Sequence, residues 1–342
     1  MNIADLKRTA KALVADGKGI LAADETLQTL TKRFEALKID STLDSRRTYR
    51  EMLFTTPGVS EFISGVIMQD ETIRQQSSTG TPLADVLAQQ GIAVGIKVDA
   101  GTKRLAGCPA EGVTEGLDGL RERLIEYYRM GARFAEWRAV FQITPTLPSS
   151  TCVRANAHAL GRYAALCQEQ GMLPIVEPEV LMVGSHTLQR CEEVTEDVLH
   201  ATMSALFEHR VNLEGILLKP NMIGPAIESP EPSGIEQVAL ATLRCLRRHV
   251  PAAIPAIVFL SGGQDYLTAT EHLNSMNRLN GRKPWKLTFS FGAALQDEAL
   301  RAWRGKPENV LSGQRAFFHR AKCLSAAALG NYFNGMEVEL AA

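Results

Sequence analysis

The sequence predicts an α/β chain that folds as a single (β/α)8 TIM barrel. Eight short runs rich in β-branched and aliphatic residues recur along it, at residues 17–23, 62–69, 93–98, 133–140, 173–177, 213–219, 256–261 and 286–291. Each ends near a charged, polar or glycine residue, and successive ends are about 30 to 45 residues apart, the room a strand–helix–strand unit needs. Segments of helical period lie between them, as at residues 117–130, 154–170, 195–209 and 235–249. No G-x-G-x-x-G follows the first run, which argues against an open dinucleotide-binding sheet and for closure into a barrel.

The elements follow in order. Residues 1–16 read as an N-terminal helical extension; the charges of Asp5, Lys7 and Arg8 interrupt any apolar core, so no signal peptide is expected and a cytoplasmic location is. The first run ends at Asp24, the third at Lys97 and Asp99, and the fourth carries Glu136 and Arg138 on one face by period-two spacing. The fifth run ends at Glu177 and Glu179, and the sixth at Lys219. Residues 221–234, with Pro225, Pro230 and Pro232, form the most loop-like stretch and read equally as a lid or a plain connection. The seventh run leads into Ser261, Gly262 and Gly263. Residues 305–342 read as a C-terminal helical segment and tail, completing one domain over residues 1–342.

Composition narrows the function. The chain has 342 residues, with 37 Lys and Arg against 38 Asp and Glu, so it carries no electrostatic footprint for nucleic acid. Its longest apolar candidate, residues 250–260, is interrupted by two prolines and is too short to span a membrane. The six cysteines form no C-x-x-C pair, and the seven histidines form no H-x-x-x-H or H-E-x-x-H. A site built on His and Cys is therefore not expected, and the cysteines read as reduced thiols.

A barrel of this kind works at the C-terminal ends of its strands. Charged groups there are hard to explain as structure alone, because a buried unpaired charge is expensive. Lys219 is the sharpest case. A desolvated lysine loses proton affinity and becomes a nucleophile toward carbonyl carbon; a lysine snorkelling to the rim is the structural alternative. Glu177 and Asp24 suit the proton traffic of a Schiff base, or else a capping or ion-pair role. Gly262 and Gly263 let backbone N–H groups approach an anion, or make a tight turn.

These residues sit in longer motifs. Gly17-Lys-Gly-Ile-Leu-Ala-Ala-Asp-Glu-Thr26, Gly95-Ile-Lys-Val-Asp99, Ile175-Val-Glu-Pro-Glu179, Leu213-Glu-Gly-Ile-Leu-Leu-Lys-Pro-Asn-Met222 and Phe259-Leu-Ser-Gly-Gly-Gln264 resemble the class I fructose-bisphosphate aldolases, in register from about residue 17 to residue 329. The resemblance implies a metal-independent carbon–carbon lyase of carbohydrate metabolism, with no cofactor beyond a covalent Schiff base to substrate. It implies Lys219 as the Schiff-base lysine, Glu177 as the acid/base of the imine, and Asp24 as the carboxylate for the substrate hydroxyl. Lys97, Arg138, Arg33 and Thr29 match substrate contacts. Ser261, Gly262 and Gly292 match the surroundings of the ketose phosphate. A homotetramer is implied as well.

Two positions depart from the family pattern. The family usually reads Phe-Ala-Lys-Trp-Arg where this chain has Phe134-Ala-Glu-Trp-Arg138, so Glu136 replaces a catalytic lysine. The family usually reads Gly-Arg-Ala-Leu where this chain has Gly292-Ala-Ala-Leu295, so Ala293 replaces a phosphate-binding arginine. Glu136 is accordingly taken as a catalytic-site residue, ionised against Arg138 or sharing a proton with Glu177. The expectation is a Schiff-base aldolase with altered substrate or reaction, acting on a ketose or ketose phosphate. The alternatives are an ordinary fructose-1,6-bisphosphate aldolase with compensating cations (Lys32, Lys103 or Arg104) and a non-catalytic relative.

Overall fold

The computed structural model describes residues 2–340; Met1, Ala341 and Ala342, the outer ends of the anticipated extension and tail, lie outside the described residues. The chain runs through α1 (Ile3–Leu13), β1 (Gly19–Ala23), α2 (Leu27–Glu35), α3 (Leu43–Phe54), β2 (Ile63–Met68), α4 (Asp70–Ile73), α5 (Leu83–Ala88) and β3 (Ala93–Lys97). A hairpin of β4 (Thr102–Leu105) and β5 (Cys108–Thr114) follows. Then come α6 (Leu120–Arg129), β6 (Phe134–Phe141), α7 (Ser150–Gln170), β7 (Leu173–Val180), α8 (Leu188–Glu208), β8 (Leu217–Leu218), α9 (Ile235–His249), β9 (Ala256–Phe259), α10 (Tyr266–Arg278), β10 (Lys286–Phe291), α11 (Ala293–Trp303) and α12 (Val310–Ala328). The strands outside the hairpin close a parallel barrel in the order β1, β2, β3, β6, β7, β8, β9, β10.

All eight predicted strands are found, with informative differences in extent. The first starts at Gly19 because Gly17 turns the chain with φ 70°. The sixth shrinks to Leu217–Leu218. The Asn212 side chain accepts the Glu214 N–H at 3.0 Å and winds Leu213–Gly215 into a 3-10 turn, and Pro220 has no N–H to extend the ladder. The hairpin was not expected. Its strands are largely exposed, so they lack the apolar alternation that marks a strand in sequence.

The stretch at residues 221–234 is a connection rather than a lid. Met222, Ile223 and Ala226 are buried. The N–H groups of Ala226, Ile227 and Glu228 donate to the carbonyls of His186, Met182 and Gly184 at 2.9, 2.9 and 3.0 Å, stapling the stretch to the loop after β7.

The barrel interior is filled by Ile20, Ile67, Phe134, Leu173, Ile175, Leu217 and Val258. Leu6, Ala10 and Leu13 of α1 lie on one helical face and join this cluster, so α1 packs its apolar stripe into the barrel core. Large and small residues interlock there. A Cβ on Gly95 would stand 2.3 Å from the Phe134 ring, and one on Gly65 would stand 2.5 Å from Leu13 Cδ2. Gly95→Ala is therefore expected to lower stability by about 1–3 kcal/mol, the usual cost of overpacking. Calorimetric or denaturant unfolding measures this; an unchanged midpoint would mean that the ring has room to move.

Candidate active site

The strand ends converge on a cavity of about 320 Å³, lined by Asp24, Thr29, Arg33, Lys97, Arg138, Glu177, Glu179, Lys219, Ser261, Gly262, Ser290, Gly292 and Ala293 among others. A larger surface groove, about 820 Å³, runs along α12 past Leu311, Gln314 and Phe318, but it contains none of the predicted site residues. Of those residues, Glu136 does not line the cavity. It is fully buried behind Lys219.

Strand register assembles the charges. Lys97 on β3 is the direct partner of Glu136 on β6, and Arg138 is the direct partner of Glu177 on β7. Lys219 leaves β8 with its N–H donating to Val176 O at 2.8 Å, which brings its side chain beside both carboxylates. Lys219 Nζ lies 2.6 Å from Glu136 Oε2 and 3.2 Å from Glu177 Oε1. Lys97 Nζ lies 3.1 Å from Asp99, 3.4 Å from Asp24 and 3.5 Å from Glu136 Oε1. Lys219, Glu177 and Glu136 are 4%, 3% and 0% exposed, so water screens these contacts little.

The electrostatics reverse one expectation. Burial lowers the proton affinity of Lys219, but the Glu136, Glu177 and Asp24 carboxylates outweigh it and hold Lys219 above the usual lysine value. The unliganded lysine is an ammonium, because it answers to three acids. Burial also disfavours ionisation of Asp24, yet the Lys97 and Lys219 ammoniums hold that carboxyl well below the usual range. Burial, reinforced by the Glu136 charge, pushes Glu177 well above the usual range against the pull of Lys219 and Lys97. Glu136 is likewise pushed up, by burial and by Asp24, against the pull of Lys219. Glu177 Oε2 is buried and has no hydrogen-bond partner among the described residues.

The pairing of Glu136 with Arg138 is corrected. The Arg138 guanidinium bonds to Glu179, and Glu136 faces Lys219 and Lys97 instead. Glu136 lies against Lys219, just past the end of β8, while Arg138, two residues further along β6, is partly exposed and reaches Glu179. Asp99 is turned to the backbone, accepting the Gly101 and Arg138 N–H groups at 3.0 and 3.2 Å besides its contact with Lys97. Arg33 is held by Glu25 and, at 2.8 Å, by Asp297 of α11. Lys32, Lys103 and Arg104 are exposed and do not line the cavity, so they do not make up for lost cations there.

At the other wall Gly262 and Gly263 take φ of 60° and 79°, a left-handed pair that few side chains tolerate, directly after Ser261. Gly292 is the N-cap of α11 and offers no side chain to cap the first turn. Such a wall presents backbone donors to an anion. Sequence reasoning missed Ser290, which lines the cavity with a buried Oγ that has no hydrogen-bond partner among the described residues. Its signal was available, since it lies one residue inside the end of the eighth predicted strand. Among the described residues, His319, Cys323 and Glu337 come close enough to share a metal ion. They lie outside the cavity lining, and the Glu337 carboxylate already accepts from Arg320 at 2.9 Å and Tyr332 at 2.8 Å.

The class I fructose-bisphosphate aldolase family model matches residues 5–342. The chain belongs to the class I fructose-bisphosphate aldolase family. It is 52% identical over 333 residues to the "Probable fructose-bisphosphate aldolase class 1" of Xanthomonas campestris pv. campestris, covering 97% of this chain and 99% of that one. It is 51% identical over 328 residues to "Fructose-bisphosphate aldolase 4, cytosolic" of Arabidopsis thaliana, covering 96% and 84% respectively. The solved fructose-bisphosphate aldolase of Plasmodium falciparum, crystallised with TRAP and a small-molecule inhibitor, superposes with a TM-score of 0.96 at 45% identity over 97% of this chain and 96% of that one. Aldolases of this family are carbon–carbon lyases, and the cavity described above lies where a (β/α)8 enzyme carries its chemistry. Among the described residues no helix is long and apolar enough to cross a membrane.

Proposed function

We propose that this chain is a Schiff-base aldolase that breaks or makes a carbon–carbon bond of a ketose phosphate through an imine on Lys219. One observation carries the reading: Lys219 Nζ lies at the barrel mouth within 3.2 Å of Glu177, whose second oxygen has no hydrogen-bond partner among the described residues, in a cavity that Asp24 also lines. Lys219 attacks the ketone carbon. Glu177 gives a proton to the departing hydroxyl, and the ionised Asp24 accepts the hydroxyl proton that starts cleavage. Lys97, Arg138, Arg33, Thr29, Ser261, Gly262 and Gly292 orient the substrate. No metal enters these steps. The chain works in the cytoplasm as one domain, its terminal helical segments packed on the barrel, and assembles as a homotetramer.

Fructose 1,6-bisphosphate is the substrate we put first, because relatives at 51–52% identity carry that name. The comparisons thus weigh toward the ordinary reaction and away from the altered substrate anticipated from Glu136 and Ala293. A second reading keeps one specific support. Every lining cation, Arg33, Lys97, Arg138 and Lys219, is already ion-paired, and Ala293 adds none. That arrangement suits a ketose with one phosphate or none.

Coupled assays of native protein on fructose 1,6-bisphosphate and fructose 1-phosphate decide between them. The expected result is that the bisphosphate is the better substrate. Ala293→Arg should then lower its KM by about tenfold or more, since a charge-assisted hydrogen bond contributes about 1.5–3 kcal/mol. Preference of the native protein for the monophosphate, reversed only in Glu136→Lys with Ala293→Arg, would establish the second reading instead.

A further inference from the structure

Glu136 and Glu177 approach the same nitrogen from different sides. Glu177 lines the cavity, where a carbonyl substrate sits. Glu136 does not; it is fully buried, 2.6 Å from Lys219 Nζ, and its other oxygen is 3.5 Å from Lys97 Nζ. A substrate entering the cavity therefore meets Glu177 and cannot displace Glu136. The lysine it meets is an ammonium, which has no lone pair, so imine formation needs a proton acceptor already in contact with Nζ.

We propose that Glu136 is that acceptor, a catalytic residue that takes the proton from Lys219 before it attacks the carbonyl. This rests on the reading of Lys219 as the Schiff-base lysine. The proton balance follows. Lys219 ammonium and Glu136 carboxylate become amine and carboxylic acid. The amine lone pair forms the N–C bond, the carbonyl π pair moves to oxygen, and that oxygen takes the proton of Glu177. The resulting Glu177 carboxylate removes one proton from nitrogen and returns it to the hydroxyl. The nitrogen lone pair then expels water, leaving a protonated imine. At the end Glu136 holds one proton and Glu177 is a carboxylate, so imine formation moves the negative charge from the buried wall to the cavity face. Glu177 is then ready to act as a base in the next step, and hydrolysis of the imine restores the starting state.

The acceptor role can be separated from a merely electrostatic one by sign. Removing a carboxylate next to an ammonium favours the free amine, so a Glu136 that only suppresses Lys219 would, when replaced by Gln, make imine formation faster at neutral pH. A proton acceptor would make it slower, by about 100-fold on the usual scale of acid–base catalysis. The experiment traps the imine of dihydroxyacetone phosphate on the full chain with borohydride and follows the added mass at Lys219 from pH 6 to 9. Native protein should form the adduct, and Glu136→Gln should form it about 100-fold more slowly across the range. An equal or faster rate in Glu136→Gln overturns the proposal. Glu136→Asp keeps the acid but withdraws it from contact, and stands in if the amide does not fold. It should be slowed with its pH dependence in the native position, and a native rate there also overturns the proposal. No adduct on native protein with this or any other ketose would instead defeat the Schiff-base reading itself.

Discussion

Lys219→Met is expected to abolish both the borohydride-trapped adduct and carbon–carbon cleavage, a loss of at least about 10⁴-fold, because covalent catalysis loses its nucleophile. Mass spectrometry after trapping and a coupled cleavage assay measure this; a variant that still cleaves at more than a hundredth of the native rate would remove Lys219 from the mechanism. The same change has a stability signature. Lys219 is the ammonium closest to Glu136 and Glu177, both nearly or fully buried. Without it their carboxyls, already pushed up by burial, rise further, so both are neutral in the folded state at acid pH. A carboxyl whose pKa is raised on folding supports the fold below its unfolded value and withdraws that support as pH rises toward the folded value. Lys219→Met should therefore melt progressively lower, relative to native protein at each pH, as the pH rises above the native values of these two carboxyls. Loss of one partner of a buried pair costs about 3–5 kcal/mol when the other remains charged.

Glu177→Gln is expected to slow formation and hydrolysis of the imine by about 10²–10⁴-fold, the range for a lost acid–base group. Its pH profile is the more telling readout. Burial and the neighbouring Glu136 hold the Glu177 carboxyl well above the usual range, so it keeps its proton to higher pH than an ordinary glutamic acid. Raising the pH through its value removes the donor. Native imine formation should then fall on the alkaline side, and the Gln variant should lack that fall because it has no such proton to lose. The amide is isosteric, and the buried Oε2 of Glu177 has no protein partner to offend, so the fold should survive. Native kinetics in this variant, measured by stopped-flow or quenched trapping, would assign the proton to another group.

The barrel was legible in the sequence because closure repeats one local pattern. Each strand is buried on both faces and reads as a short apolar run, and each run stops at a polar residue near the rim. The hairpin of β4 and β5 was not legible, since its exposed strands bury too little apolar surface to leave a pattern. The shortening of β8 came from the local cap by Asn212 and from Pro220, signals that the apolar run of residues 213–219 concealed. Within the site, strand-end logic and motifs identified Asp24, Lys97, Arg138, Glu177 and Lys219 at the cavity. Period-two spacing rightly put Glu136 and Arg138 on one face but said nothing about their partners. Those are chosen by adjacent strands, which separate Glu136 toward Lys219 and Arg138 toward Glu179.

The sequence by itself determined the fold class, the family and the types of charge at each strand end. Tertiary structure decided what those charges do. The protonation of Lys219 is the clearest instance. Read alone, a buried lysine should lose its proton. In the barrel it keeps it, because acidic side chains from three other strand ends stand close enough that their combined effect exceeds the cost of desolvation. Such a sum runs over neighbours in space, and it comes into being only when β1, β6, β7 and β8 close around one point.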